Sequence, residues 1–173
     1  SGVAWRAFEA PGSFSLVFEG KNRLGSLEVC RALSVDRAWR SGTLYLPAFR
    51  RSSAPRPFPL DYPVEQLLFV SLLACSAGAV VHGTGVILDG QGFVFAGTHG
   101  AGKSTLAALF RHSRGVRLLN DDRVVVRWLD GQWRVFGTPW AGTVRQVSSE
   151  SAPLSGVFFI RHDTATRAIP LFP

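Results

Sequence analysis

The sequence predicts an α/β fold in which a strand, a glycine-rich loop and a helix follow one another near the middle of the chain. Residues 92–96 form a short apolar run of strand-forming residues, and residues 104–110 place Leu106, Leu109 and Phe110 on one face of a helix. Other apolar runs have the length of strands and are separated by turn signals such as Asp-Gly. Strands that alternate with a helix in this way are typical of α/β domains.

Residues 1 to 60 predict a small β-rich N-terminal region without a catalytic constellation. Strand-like runs occur at residues 14–18, 24–30 and 43–46. Residues 50–63, which include Arg50, Arg51, Arg56 and four prolines, predict a loop or linker. We therefore expect a domain boundary near residue 60, with a second domain over residues 61–173.

The second domain is expected to begin with a helix and to continue mainly as strands. Pro63 suits the first turn of a helix, and the apolar residues that follow it predict a helix buried on most sides. Asp89-Gly90 and Asp130-Gly131 are strong hairpin signals. The predicted strands are residues 80–88, 92–96, 116–119, 123–129, 132–136 and 157–160.

Composition narrows the function classes. The net charge of +7 comes almost wholly from arginines scattered over strands and loops, and no predicted helix has a basic face. This pattern favours acidic or phosphorylated ligands over nucleic acid. The apolar stretch at residues 67–81 is interrupted and too short to span a bilayer, and no signal-peptide pattern occurs. Cys30 and Cys75 lack metal-ligand spacing, which favours a reducing cytoplasm. The lack of methionine and of a closing C-terminal element predicts a piece of a longer protein, truncated at its C-terminus.

The glycine-rich segment fits the phosphate-loop (Walker A) pattern G-x-x-x-x-G-K-[ST]. Its residues are Gly97, Thr98, His99, Gly100, Ala101, Gly102, Lys103 and Ser104, followed by Thr105. Glycines let successive backbone N–H groups converge on one anion, and the N-terminus of the following helix adds further donors. Lys103 would then reach the β- and γ-phosphates, and the Ser104 hydroxyl would bind Mg²⁺. A glycine-rich turn without a ligand is the alternative.

Asp121 and Asp122 are expected to supply the carboxylates of the same site. They follow a predicted strand a short distance after the loop helix, and ligands bind at the carboxyl ends of strands in α/β sheets. Two adjacent carboxylates stay ionised more easily beside a cation, which would leave one of them free to act as a base. The alternative is a solvated pair that caps a turn.

His82 is a further candidate for the site. Gly83 and Gly85 allow close backbone approach, and the predicted hairpin brings their strand beside the one that leads into the loop. His82 is thus expected near the transferred phosphate and near Asp121, unless it is an ordinary core histidine. The other histidines are expected to contribute backbone only (His99) or to lie on the surface (His112 and His162).

Together these motifs resemble the catalytic core of HPr kinase/phosphorylase and its relatives, whose P-loop fold is shared with phosphoenolpyruvate carboxykinase. The resemblance rests on the His82-Gly83 pair, the loop, and the Leu-Leu-Asn-Asp-Asp-Arg segment at residues 118–123, and it covers about residues 62–160. Residues 133–140 are similar to an HPr-kinase-like subgroup found with peptide-modification systems. The resemblance implies a mixed sheet as the core of the fold.

The resemblance also implies a kinase that transfers the γ-phosphoryl group of ATP to a serine of a small protein or peptide. Carried over by position, residues 97–105 would hold the triphosphate, with Lys103 acting in catalysis, and Ser104 and Asp122 would bind Mg²⁺. Asp121 would accept the serine proton, with His82 beside it. We therefore expect a cytoplasmic protein that binds no membrane and no nucleic acid, with both a monomer and a homo-oligomer left open.

One departure from the family pattern alters the expected activity. Bifunctional members carry a glutamate-containing stretch after the aspartate pair, whereas this chain has residues 138–142, without a carboxylate. The departure predicts loss of phosphorolysis and a substrate other than HPr, with Arg145 near the phosphates instead. Two alternatives stay open: a nucleotide-binding regulatory module with little catalysis, and a small-molecule kinase or an ATPase that transfers to water.

Overall fold

The computed structural model describes residues 4–21, 24–47 and 58–171, which form mixed α/β structure dominated by strands. The expected α/β class is confirmed at this level. The chain divides into two compact units, Ser1–Cys75 and Ser76–Pro173. The division therefore follows Cys75, whereas the sequence suggested a boundary near residue 60. The stretch with Arg50, Arg51 and Arg56 lies outside the described residues.

The described residues of the first unit form an antiparallel sheet with the strand order β1-β2-β3-β4 and a helix. Its elements are β1 (Ala4–Ala10), β2 (Ser13–Lys21), β3 (Leu27–Asp36), β4 (Gly42–Tyr45) and α1 (Val64–Ala74). The strands expected at residues 14–18, 24–30 and 43–46 correspond to β2, β3 and β4. Strand β1 was not expected, because every one of its residues is exposed and an edge strand carries little hydrophobic pattern.

Helix α1 belongs to the core of this first sheet, which explains the position of the boundary. The core consists of Leu16, Phe18, Leu33, Val35 and Val64, and Leu67 and Leu68 pack against it. The expectation of a helix buried on most sides was wrong. Val70 and Leu72 are 52% and 43% exposed, and only Val64 and Leu73 in the helix are buried. No helix in the described ranges is long and apolar enough to cross a membrane.

The second unit contains a six-stranded sheet with the order β6-β10-β9-β8-β5-β7, in which β6 also pairs with β5. The pairings therefore form a closed ring of five strands, in the order β5, β6, β10, β9 and β8. The β10–β6 pair is parallel and the others are antiparallel, so the sheet is mixed. The elements are β5 (Gly78–Leu88), β6 (Gln91–Ala96), α2 (Lys103–Arg111), β7 (Val116–Asn120), β8 (Arg123–Leu129), β9 (Gln132–Phe136) and β10 (Ser151–Phe159).

Strand β5 determines where the loops of this unit meet. Its first part pairs with β8, whereas its second part lies between β6 and β7 and is antiparallel to both. Because β6 and β7 therefore run in the same direction, they end at the same edge of the sheet. Gly83 is in register with Ala96, the last residue of β6, and Gly85 with Asn120, the last residue of β7. The glycine-rich loop and the aspartate pair thus begin beside each other.

Two groups of apolar side chains hold this arrangement in place. One face of the sheet buries Ile87, Val94, Leu119, Val124, Val135 and Ala152. Helix α2 buries Ala107 in a second group with Val86 and Leu118, and the rings of Phe95 and Phe110 lie 5.2 Å apart there. The close backbone approach expected at Gly83 is also present, since a Cβ on it would lie 2.7 Å from the Phe95 carbonyl oxygen. The loop is therefore fixed at both of its ends.

Candidate functional site

A cavity of about 670 Å³ lies at this edge of the sheet. The residues that line it from the loop and the first turn of α2 are His99, Gly100, Gly102, Lys103, Ser104 and Thr105. The lining is completed by His82, Asp121, Asp122, Gly142 and Thr143. The structure thus brings most of the expected site residues to one cavity. Three residues of the loop do not line the cavity: Gly97, Thr98 and Ala101. The exposed Arg145 does not line it either.

The loop has the backbone geometry that an anion site requires. Gly100 and Gly102 have φ angles of 79° and 97°, in the left-handed region that favours glycine. Helix α2 begins directly after Gly102, and no side chain in the described part of the chain caps its N-terminus. Its first N–H groups therefore remain available to a ligand.

Lys103 is buried although it carries a charge, and its side chain folds back over the loop. Its side-chain Nζ donates hydrogen bonds to the carbonyl oxygens of Gly97, at 2.8 Å, and of Thr98, at 2.9 Å. The Thr84 hydroxyl donates to the Lys103 carbonyl oxygen at 3.2 Å, which ties the first turn of α2 to β5. The ammonium group is therefore held at the loop by carbonyl groups that offset its burial.

Asn120 organises the turn that carries the two aspartates, a role that was not predicted from the sequence. Its side chain is fully buried. The Nδ2 group donates to the carbonyl oxygens of Thr138 and Trp140, and Oδ1 accepts from the backbone N–H groups of Asp122 and Arg123. A signal was present, because asparagine at the end of a strand commonly bonds to the backbone of the turn that follows.

Asp121 is 3% exposed, and one of its two carboxylate oxygens accepts a hydrogen bond. Oδ2 accepts a hydrogen bond from the Val144 N–H at 2.7 Å, whereas the buried Oδ1 has no hydrogen-bond partner among the described residues. A Cβ on Gly142 would lie 2.6 Å from Oδ1, so glycine is required where the loop passes the carboxylate. A buried carboxylate oxygen without a hydrogen-bond partner lowers the stability of the fold. Such an oxygen is typical of a site where a bound ligand supplies the missing partner.

Asp122 rather than Asp121 is the partner of His82, which corrects the sequence-based expectation. His82 Nδ1 lies 3.2 Å from Asp122 Oδ1, and Arg123 Nε lies 3.3 Å from Oδ2. The reason is register: His82 is opposite Arg123 in the β5–β8 pair, and Gly83 N–H donates to the Asp122 carbonyl oxygen. The spacing of residues along the chain does not show this cross-strand neighbour.

His162 contacts the phosphate loop, although we expected only a surface position. Its ring is exposed, and Nε2 lies 2.8 Å from the carbonyl oxygen of Gly100. Ile160 N–H donates to the carbonyl oxygen of Ala96 at 2.8 Å, so the segment after β10 runs along the start of the loop. Nothing in the sequence near residue 162 indicates this contact, which depends on the parallel pairing of β10 with β6.

The donors of the cavity fit a magnesium–phosphate complex better than a metal held by protein alone. Among residues 4–21, 24–47 and 58–171 there is no group of three or more His, Cys, Asp or Glu side chains arranged to hold a metal. Mg²⁺ usually retains waters and binds through one or two carboxylates together with phosphate oxygens. The Ser104 hydroxyl and the Asp122 carboxylate, which both line the cavity, are oxygen ligands of the kind that such a complex would use.

Comparisons with known proteins place the chain in no family. No protein-family model matches the sequence, and no curated protein matches it significantly.

Proposed function

We propose that the second unit is an ATP- and Mg²⁺-dependent kinase that transfers the γ-phosphoryl group to a serine hydroxyl of a small protein or peptide. The observation that carries the proposal is that Lys103 and Ser104 line the same cavity as Asp121 and Asp122. The same residues carry the resemblance to HPr kinase. A phosphate loop that faces a pair of carboxylates is the arrangement that phosphoryl transfer requires.

The loop would bind and orient the triphosphate. The open N–H groups at the start of α2 and the nearby Lys103 ammonium supply positive potential, and phosphate oxygens would join the two carbonyls around that ammonium. Ser104 and Asp122 are the residues that would hold Mg²⁺, and the bound ion would supply positive charge beside the phosphates. His82 and Arg123 contact opposite oxygens of Asp122 and so fix its orientation.

Asp121 is the residue best suited to receive the proton of the acceptor hydroxyl. The Val144 N–H holds Oδ2 and so orients the carboxylate, while Oδ1 has no partner in the described structure. In the proposed step the serine oxygen forms a bond to the γ-phosphorus, the bond from that phosphorus to the β–γ bridging oxygen breaks, and ADP leaves. The serine proton passes to Asp121, and the substrate gains one phosphoryl group.

A nucleotide-binding regulatory module is the second candidate, and it is favoured by residues 138–142, which lack the carboxylate of the bifunctional family members. The bond from Val144 and the close packing of Gly142 are contacts that a purely structural aspartate also makes. A small-molecule kinase is a variant of the first proposal, since a cavity of about 670 Å³ has the size of small-ligand sites. Residues 138–142 carry no carboxylate, so neither candidate includes phosphorolysis.

Nucleotide binding is the first test, and the two lysines of the chain provide a matched pair. We expect Lys103→Met to raise the Kd for ADP with Mg²⁺ at least about tenfold, because a charge-assisted hydrogen bond is lost. Lys21→Met is the control, since Lys21 is exposed on β2 in the other unit. Isothermal titration calorimetry measures both variants. No binding by the unmodified chain, or equal Kd values for all three proteins, would count against a phosphate site.

Transfer itself separates the two candidates. The protein is incubated with γ-labelled ATP and Mg²⁺ in two separate reactions, one with serine-containing peptides or small proteins and one with small hydroxylated metabolites. The products are examined for acid-stable phosphoserine and for labelled phosphate esters of the metabolites. Labelled phosphoserine on an acceptor supports the kinase. Nucleotide binding without any labelled acceptor supports the regulatory module, and label on a small hydroxylated metabolite supports the small-molecule variant.

A further inference from the structure

We propose that His162 is a positioning residue for the nucleotide phosphates: it fixes the Gly100–Ala101 peptide group of the phosphate loop and so couples phosphate binding to the segment that follows β10. The inference rests on the proposed nucleotide site and adds a residue from outside the motif. The Nε2–carbonyl distance of 2.8 Å is the observation that carries it.

The segment that holds His162 is itself anchored to the strand that leads into the loop. Phe159 is in parallel register with Ala96, and Ile160 N–H donates to the Ala96 carbonyl oxygen. A Cβ on Gly97 would lie 2.8 Å from the Ile160 carbonyl oxygen, so the two backbones are in close contact as they leave the sheet. His162, two residues further on, therefore reaches the loop from a fixed base.

The contact controls the direction of one peptide group. A trans peptide points its C=O and N–H in opposite directions, and the only cis bond found in the described residues is Tyr62–Pro63. His162 holds the Gly100 C=O from outside the loop, while the Ala101 N–H on the other side of that peptide donates to the Thr98 carbonyl oxygen at 3.2 Å. Both ends of this peptide group are therefore held, which keeps the loop backbone in the shape in which its other N–H groups can converge on a phosphate.

The flexibility of Gly100 is the reason why a hydrogen bond from His162 would stabilise the loop. Its φ angle is 79°, and glycine moves between left- and right-handed regions at little cost, so the peptide that follows it can rotate easily. A carbonyl oxygen only accepts hydrogen bonds, so the ring must carry its proton on Nε2. A neutral His162 is therefore expected in the Nε2–H form, with the lone pair on Nδ1.

The binding test compares three variants of the whole chain, with MgADP and inorganic pyrophosphate as ligands. His162→Ala is expected to raise the Kd for each ligand about three- to tenfold, the range of one lost hydrogen bond. His162→Gln keeps a side-chain N–H donor and is expected to return the Kd to within about twofold of the original. His112→Ala is the control, because His112 is exposed at the opposite end of α2 and is expected to leave both Kd values unchanged.

A spectroscopic readout reports the contact without any ligand. Long-range ¹H–¹⁵N spectra of the ring are expected to show the Nε2–H form, and His162→Ala is expected to shift the Ala101 amide resonance. If the original chain binds ligand while His162→Ala leaves both Kd values unchanged, or if the ring carries its proton on Nδ1, this inference is overturned and the kinase proposal stands. If the original chain binds neither ligand, both proposals fail together.

Discussion

Replacing Asp121 by asparagine is expected to lower the rate of phosphoryl transfer by about 10³-fold, within the range that a general base contributes. The amide keeps the size of the side chain, and its oxygen can still accept the Val144 N–H, so the loop around Gly142 is expected to stay in place. The Kd for MgADP is expected to change less than about threefold, because Lys103 and the loop amides remain.

Single-turnover kinetics with labelled ATP separate this loss of rate from a loss of binding. Asp130→Asn provides a control with the same change of charge and shape. Asp130 is exposed in the β8–β9 turn at a φ of 51°, a conformation that asparagine also tolerates. A transfer rate near that of the original chain in Asp121→Asn would remove Asp121 as the base and leave its bond to Val144 as its role.

Replacing Asn120 by alanine is expected to lower the free energy of unfolding of the second unit by about 3 kcal/mol, since it leaves buried backbone groups without partners. The side chain serves two carbonyl groups of the loop after β9 and two N–H groups of the aspartate turn. Water cannot easily replace these bonds, because Asn120 is fully buried.

Urea unfolding monitored by tryptophan fluorescence measures this loss, since Trp128, Trp133 and Trp140 all lie in the second unit. Gln132→Ala removes an exposed amide at the start of β9 and is expected to change the stability by no more than about 0.5 kcal/mol. Equal unfolding midpoints for Asn120→Ala and Gln132→Ala would show that the buried hydrogen bonds do not stabilise the turn.

The sequence predicted those parts of the site that depend on local pattern. The loop between β6 and α2 has a fixed spacing and a strand and helix around it, and the hairpins at Asp89 and Asp130 have turn signals of their own. The aspartate pair was expected at the site because ligands of α/β sheets bind at the carboxyl ends of strands. In the structure both aspartates line the same cavity as the loop. These features are encoded within a few neighbouring residues.

The parts that sequence reasoning missed depend on which strands become neighbours. His82 contacts Asp122 because β5 pairs with β8, and His162 contacts Gly100 because β10 pairs with β6. Neither pairing follows from a local pattern, because the paired strands are far apart in the sequence. Strands β6 and β7 and helix α2 lie between β5 and β8, and β10 is separated from β6 by more than half of the second unit. Helix α1 was assigned to the wrong region for the same reason: an apolar helix shows that it packs, without showing on which sheet.

Strand β10 closes the ring of strands, and this affects which strand edges are exposed while the chain is being synthesised on the ribosome. Until Ser151–Phe159 has emerged, β6 and β9 each keep an open edge, and the loop lacks the bond from Ile160 to Ala96. Open edges of this kind invite pairing with other chains. A nascent chain that ends before β10 therefore exposes two unpaired strand edges, and its glycine-rich loop begins without the backbone bond from Ile160 to Ala96.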